Sequence, residues 1–314
     1  MNIVVTGGLG FIGSHFIELL LEKTDWYINC LDNETYAANL DFKKQICSNK
    51  RVLTHCVDIS NYKELEFLND IDLIVHFAAE SHVDNSINGP LPFVNTNVLG
   101  TFNLLEFARK NKVKKFIHVS TDEVYGAIEK NDFARAGFTE DDILKPSSVY
   151  SSSKASSDLL VYSYFKTYKL NTCITRCCNN YGPRQNKEKL LPKTIINALT
   201  EQQIPVYGQG DNIREWIYVK DHCEAVLRVA QNGNAGETYN IGTGHTLSNL
   251  GLIYRVLCIL NKDEKLITFV NDRAGHDFKY LINSDKIRRE LSWEHSTKFN
   301  EGLERTIDFY KNSL

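Results

Sequence analysis

Eight residues near the N-terminus constrain this chain more than any others. Thr6-Gly7-Gly8-Leu9-Gly10-Phe11-Ile12-Gly13 follows a strand-like run, Asn2–Val5, and opens a stretch with helical periodicity, Phe11–Glu22. A strand feeding glycines and then a helix is the start of a βαβ unit. One glycine lets the chain reverse, one without a side chain lets the backbone approach a pyrophosphate, and Gly13 allows close helix–strand packing. The helix start offers free N–H groups to negative charge. Asp32 stands 19 positions beyond Gly13, at the end of the next apolar run, Tyr27–Leu31. A carboxylate there accepts hydrogen bonds from an adenosine ribose and repels a 2′-phosphate. Leu31-Asp32-Asn33-Glu34 has no Arg or Lys to bind such a phosphate, so the spacing predicts NAD and not NADP. Asp58 follows the next run, Arg51–Val57, and is placed to meet the adenine.

The alternation continues with strand-like Asp72–Phe77, a helix through Asn97–Asn111, and strand-like Lys115–Ser120. Near-continuous apolar strands between helices predict an α/β fold, a Rossmann-like doubly wound parallel sheet covered on both faces. Beyond about residue 175 turn signals crowd together, as in Asn179-Asn180-Tyr181-Gly182-Pro183 and Gly242-Thr243-Gly244. We therefore expect a dinucleotide-binding domain over 1–175 and a smaller C-terminal substrate-binding lobe over 176–314. Thr172–Thr175 and 238–241 are candidates to extend the first sheet. At 314 residues the chain needs no disulfide or metal staple. Its eight cysteines show no Cys-x-x-Cys pair and no His at ligand spacing, which predicts reduced thiols and no metal. With 36 basic against 39 acidic side chains there is no field to hold a polyanion, so nucleic acid is an unexpected partner. No apolar run reaches the roughly 20 residues of a membrane span, and Met1–Gly7 lacks a signal-peptide pattern, so we expect a cytoplasmic protein.

Tyr150-Ser151-Ser152-Ser153-Lys154 sets a phenol and an ammonium on one face of a helix. A phenol near pKa 10 is a poor base at neutral pH. Bringing it to about 7 takes roughly 4 kcal/mol, within reach of two close positive charges in a dry site. Downstream of a dinucleotide fingerprint, the pair points to hydride chemistry at a hydroxyl carbon.

These features together resemble the extended short-chain dehydrogenase/reductases that act on nucleotide sugars. The likeness rests on the glycine-rich start, on Tyr150 and Lys154, and on Ser120-Thr121-Asp122-Glu123-Val124-Tyr125-Gly126 after the fifth strand. Adjacent carboxylates stand where related 4-epimerases have small or uncharged residues. An epimerase needs only oxidation, rotation and reduction at one carbon. A dehydratase must also remove a hydrogen at C5 and protonate a departing C6 hydroxyl, which suits two carboxyl groups of separated pKa. Phe77–Asp84, Tyr150–Asp158, Arg176–Pro183, Glu188–Pro192, Gly210–Asp221 and Asp272–Asp277 extend the resemblance over nearly the whole chain, to the dTDP-glucose 4,6-dehydratases.

That resemblance implies catalytic roles for Thr121, Asp122, Glu123, Tyr150 and Lys154, with Glu123 as base and Asp122 as acid. It implies NAD contacts by Gly7, Gly10, Phe11, Ile12, Gly13, Asp32, Asp58, Ile59, Ala78, Ala79, Tyr150, Lys154 and Asn180. It assigns the nucleotide sugar to Ser81, Thr121, Asn179, Lys189, Leu190, Tyr207, Arg214, Asn249, Arg273 and His276. A homodimer through helices near Val98–Lys110 and Ser151–Tyr168 is implied as well. The chain departs from the bacterial dTDP pattern at Asn85, Asn186-Lys187 and Ala274, and Ser147-Ser148 replaces an Asn-Pro before Tyr150. Asn85 is what the UDP-glucose 4,6-dehydratases carry, so UDP-glucose is the alternative substrate and 4-epimerisation the alternative reaction. A catalytically silent dinucleotide sensor would need none of the Thr121–Glu123, Tyr150 and Lys154 set.

Overall fold

The computed structural model describes residues 1–132 and 135–313. The first strands are β1 (Asn2–Thr6), β2 (Tyr27–Asp32), β3 (Val52–Cys56), β4 (Leu73–His76), β5 (Lys115–Thr121) and β6 (Thr172–Cys177). The chain then leaves through β7 (Asn179–Tyr181), β8 (Ile204–Tyr207) and β9 (Ile213–Tyr218), and returns as β10 (Thr238–Ile241). It leaves again through β11 (Thr246–Ser248) and β12 (Ile267–Val270). Seven strands form one sheet in the order β3-β2-β1-β4-β5-β6-β10, parallel throughout. The order reverses between β1 and β4, and that crevice is where a sheet of this kind admits a ligand.

Alternation along the strands explains why helices cover both faces. Ile3 and Val5 of β1, Leu73 and Val75 of β4, and Ile117 and Val119 of β5 enter one apolar cluster. It also holds Phe16, Ile17 and Leu20 of the Phe11–Lys23 helix and Val226 of the Val219–Asn232 helix. The intervening Val4, Ile74 and Phe116 enter the opposite cluster, with Leu104, Leu105, Val161 and Tyr164. Those four side chains come from the Thr101–Lys110 and Val149–Tyr168 helices.

One expected helix differs. The segment from Asn97 does not begin as an α-helix. Val94–Gly100 is a π-helical turn that runs into Thr101–Lys110. Its wide turn lets the Asn97 carbonyl accept from the hydroxyls of both Thr101 and Ser157, each at 2.6 Å. The Asn97 side chain meanwhile bonds the Glu80 backbone twice and donates to Ser153 at 2.8 Å. Polar demand at one residue overrides the helical pattern.

The second lobe carries a three-stranded sheet, β11-β9-β7, and a two-stranded one, β12-β8. Its own core joins Leu191, Ile195, Trp216, Tyr218, Leu252, Val256, Leu303 and Ile307. All eight cysteines are free. Among the described residues no helix is long and apolar enough to cross a membrane.

Gly13 is the tightest position in the fold's opening turn, because a Cβ there would sit 2.1 Å from the Gly7 carbonyl oxygen. Gly13→Ala should cost about 1–3 kcal/mol by overpacking, read as a lower denaturant midpoint. An unchanged midpoint would mean the turn has room that the geometry denies it.

Candidate active site

A cleft of about 340 Å³ opens at the carboxyl ends of β1, β2, β4, β5 and β6. Gly7, Gly10, Phe11, Ile12 and Gly13 line one end, where Gly10 begins the Phe11–Lys23 helix without a side-chain cap. Free N–H groups therefore face the cleft. Gly7 has φ +65°, and a Cβ on it would meet the Ala78 nitrogen at 2.7 Å. Only glycine satisfies both conditions, which lets the loop after β1 pack directly on the backbone that follows β4.

Asp32 lines the same cleft and accepts from the Leu9 N–H at 3.0 Å and the Glu34 N–H at 2.9 Å. Its carboxylate thus holds the glycine loop in place besides facing a ribose position, a structural duty the spacing alone did not reveal. Lys43 approaches this turn from the next helix. Its ammonium is already bound to Glu34 at 2.5 Å, so the carboxylate character of the corner persists. Asp58, Ile59, Ala78, Ala79 and Asn180 complete the expected cofactor wall, joined by Leu31, Val57 and Thr96. The residues present fit an adenine dinucleotide: a pyrophosphate cradle, an acidic ribose corner and an apolar slot.

Thr121, Asp122, Glu123, Tyr150 and Lys154 all line the cleft's other end. β5 delivers the first three, because the strand ends at Thr121 and turns at once into a 3₁₀ turn, Asp122–Tyr125. The Thr121 hydroxyl accepts from the Glu123 N–H and donates to Asp122 at 3.2 Å. Ser148 caps the Val149–Tyr168 helix, accepting from the Ser151 N–H at 3.1 Å while Ser151 bonds back to the Ser148 nitrogen. This capping box gives a physical reason for serine before Tyr150. Ser147 in turn binds Asp277 of the second lobe.

Electrostatics divide the two carboxyls. Burial, then Glu123 and Glu215, push Asp122 far above the usual carboxylate range, and its Oδ2 has no partner among the described residues. Burial also raises Glu123, but Arg214, Arg273 and Lys189 oppose the rise. The shared proton therefore belongs to Asp122. Lys154 is lowered to about 8 by burial, with Asp158 opposing, and donates to the Val119 carbonyl at 2.8 Å. Tyr150 departs from the simple expectation. Burial and then Glu123 raise its phenol well above its ordinary value. The protein's own charges do not make it a base, so a further positive charge has to arrive with the bound cofactor.

Of the expected nucleotide-sugar residues, Ser81, Thr121, Asn179 and Lys189 line this cleft. Leu190, Tyr207, Arg214, Asn249, Arg273 and His276 stand outside its wall. Arg214 and Arg273 still act on Glu123 across the gap. Arg214 is committed to backbone: it donates to the carbonyls of Ile213, Asp277 and Phe278 and lies 4.4 Å over the Tyr280 ring. Leu190 and Asn249 open two helices of the lobe. His276 packs edge-on to Tyr207, their ring centres 6.3 Å apart. Sequence reasoning missed Asp84, which binds Tyr207 at 3.2 Å and Arg273 at 3.4 Å across the cleft mouth. Among the described residues no cluster of His, Cys, Asp or Glu converges on a metal position.

Comparison with known proteins bears on this arrangement. Residues 4–306 match the model of the family described as GDP-mannose 4,6 dehydratase. The low-salt glycan biosynthesis protein Agl12 of Haloferax volcanii is 46% identical, the match covering 99% of this chain and 98% of that one. A dTDP-glucose 4,6-dehydratase of Escherichia coli is 42% identical over 99% of this chain and 92% of its own. The crystal structure of DesIV, a dTDP-glucose 4,6-dehydratase from Streptomyces venezuelae with NAD and dTDP bound, superposes with a TM-score of 0.96. It is 43% identical and is covered over 97% of its length, with 99% of this chain. A UDP-glucose 4-epimerase of Thermotoga maritima shares the fold at TM-score 0.91 with 28% identity, each chain covered over at least 99%.

Asp122 yields a stability prediction. Its folded-state pKa lies above the unfolded value, so between the two the folded state holds the extra proton and stability falls as pH rises. Asp122→Asn removes that loss. The variant should gain stability over the parent progressively from about pH 4 upward, measured by urea unfolding at pH 5 and pH 8. A parent whose stability relative to the variant grows with pH would place the proton elsewhere.

Proposed function

The chain belongs to the GDP-mannose 4,6 dehydratase family, and from that premise we propose that it converts dTDP-glucose to dTDP-4-keto-6-deoxyglucose as an NAD-dependent dTDP-glucose 4,6-dehydratase. The observation that carries this reading is the divided Asp122–Glu123 pair, in one cleft with Tyr150 and Lys154. The epimerases share the fold, and their reaction has no use for such a pair.

In this reading 1–175 holds the dinucleotide and 176–314 mainly the nucleotide diphosphate, with 238–241 returning to the first sheet. NAD bound along the glycine loop and Asp32 would supply the hydride acceptor for C4 and the hydride donor for C6, so no net NADH should accumulate. Thr121 and Tyr150 hold the C4 hydroxyl, and Tyr150 takes its proton while Lys154 supports the phenolate. The C4 ketone acidifies the C5 hydrogen. Glu123, whose rise by burial the lobe's cations oppose, removes it. Asp122, kept protonated by burial, gives its proton to the departing C6 hydroxyl, which leaves as water. A proton then goes back to C5 as hydride reaches C6. Lys189, Arg214 and Arg273 supply the local positive charge for the diphosphate.

The protein works as a homodimer in the cytoplasm. The helices assigned to the contact expose Leu99, Phe102, Leu159 and Tyr162, each 40–61% accessible, and such a stripe favours self-association.

Incubation with dTDP-glucose should give a product lighter by one water without net NADH. Release of dTDP-galactose would establish epimerisation instead, and preference for UDP-glucose would move the base assignment. Glu123→Gln should lower solvent exchange at C5 by about 10²–10⁴-fold while hydride still leaves C4. Equal loss of both would remove Glu123 from the base role. Leu159→Arg should convert dimer to monomer in light scattering, and an unchanged mass would place the contact elsewhere.

A further inference from the structure

A set of buried charges beneath Lys154 takes no part in the mechanism above. Asp158 lies one helical turn past Lys154 on the Val149–Tyr168 helix, 1% exposed, against the sheet. Arg176 of β6, also buried, donates its Nε–H to Asp158 Oδ2 at 2.9 Å and its Nη1–H to the Tyr125 hydroxyl at 2.8 Å. That hydroxyl passes on to Asn240 Oδ1 at 2.8 Å. On the other side His118 Nε2 of β5 stands 3.4 Å from Asp158 Oδ1 and 3.4 Å from Lys154 Nζ. Burial lowers the imidazole to about 4, so it is neutral.

An ammonium taken from water loses its charge unless an anion stands near, and a carboxylate that touches it captures it. Lys154 needs the first effect without the second. Its Nζ must keep its charge and stay available on the cleft side. Asp158 is the nearest anion. Arg176 holds one of its oxygens back, and the His118 ring stands between the other oxygen and Nζ. The carboxylate thereby acts at one remove, and the ammonium settles on the Val119 carbonyl at the cleft floor.

We propose that Asp158 is a positioning residue for Lys154, keeping it protonated, and that Arg176 and His118 restrain the carboxylate from pairing with it directly. This rests on the role given to Lys154 above. Around the ammonium the other titratable groups are uncharged or outside the pair. Cys177 of β6 is a thiol pushed up to about 12 by burial, His76 of β4 is held neutral by burial, and Tyr150 on the same helix is raised by burial. Asp158 itself, despite its burial, is held below the usual carboxylate range by Arg176 and His118.

The test reads the lysine directly, so it stands apart from turnover. In protein labelled with ¹³C at lysine Cε, the Lys154 resonance is identified by its loss in Lys154→Met and titrated by NMR. Asp158→Asn should move the Lys154 midpoint down by about one pH unit or more. The alkaline limb of the kcat profile should move with it, while KM for dTDP-glucose stays within about twofold, because Asp158 touches neither substrate nor cofactor. Arg176→Gln should move the midpoint up, since it releases the full carboxylate charge onto Lys154, and should lower kcat. It also serves if Asp158→Asn does not fold. Opposite shifts in the two variants support the proposal. An unmoved midpoint in either folded variant, with only a lower melting temperature, would reduce the network to a structural one and overturn it. A parent protein inactive on dTDP-glucose would count against the proposed reaction and leave the NMR readout intact.

Discussion

Charge held out of water at the end of β5 is the constraint on which this structure depends. A parallel sheet delivers Thr121, Asp122 and Glu123 to one edge, and a helix delivers Tyr150 and Lys154 opposite them. Burial then decides protonation. It forces a proton onto Asp122 and pushes Lys154 toward losing one. Adjacent carboxyls can therefore hold a proton unequally, because burial and neighbouring carboxylates act on one and the lobe's cations oppose the rise at the other. The same burial raises Tyr150. A phenol raised in this way needs a further positive charge beside it before it can lose its proton.

The second lobe supplies what the sheet cannot. Its strands and loops bring Arg214, Arg273 and Lys189 within electrostatic reach of Glu123, although the net charge of the chain is only −3. The Val219–Asn232 helix packs its apolar face on the first sheet, and polar contacts add to that seam. Arg184 donates to both oxygens of Glu18, at 2.8 and 2.6 Å, and His15 meets the Pro183 carbonyl at 2.9 Å. Asp84 joins Tyr207 and Arg273 at the mouth. These polar ties and the shared apolar cluster seat the lobe over the cleft, and its own aromatic core keeps it folded.

What could be read in the sequence was what is local. The glycine loop, Asp32, and Tyr150 with Lys154 are each encoded within a few residues by a backbone or helical requirement, and the structure brings them into one cleft. The strand at 238–241 was legible from its β-forming residues Thr238, Tyr239 and Ile241, although Asn240 among them is a buried polar group. The remainder depends on partners far apart in the chain. Asp84 meets Arg273 across 189 positions, and Asp158 meets His118 and Arg176 from two different strands. No spacing rule encodes such meetings. The π-helical turn at Asn97 escaped for a related reason, since it is set by what Glu80 and Ser153 demand of that side chain and Ser157 of its carbonyl. Arg214 marks the opposite limit: resemblance singled out the residue, and only the structure shows its donors engaged with three carbonyls.

The central claim is that one cleft oxidises C4, eliminates water across C5 and C6, and returns the same hydride to C6. The direct measurement uses dTDP-glucose carrying deuterium at C4, turned over in ordinary water and read by NMR. The product should be a 4-keto-6-deoxy sugar with that deuterium on its new methyl group. Deuterium retained at C4 of a galactose product, or left on accumulated reduced cofactor, would contradict it.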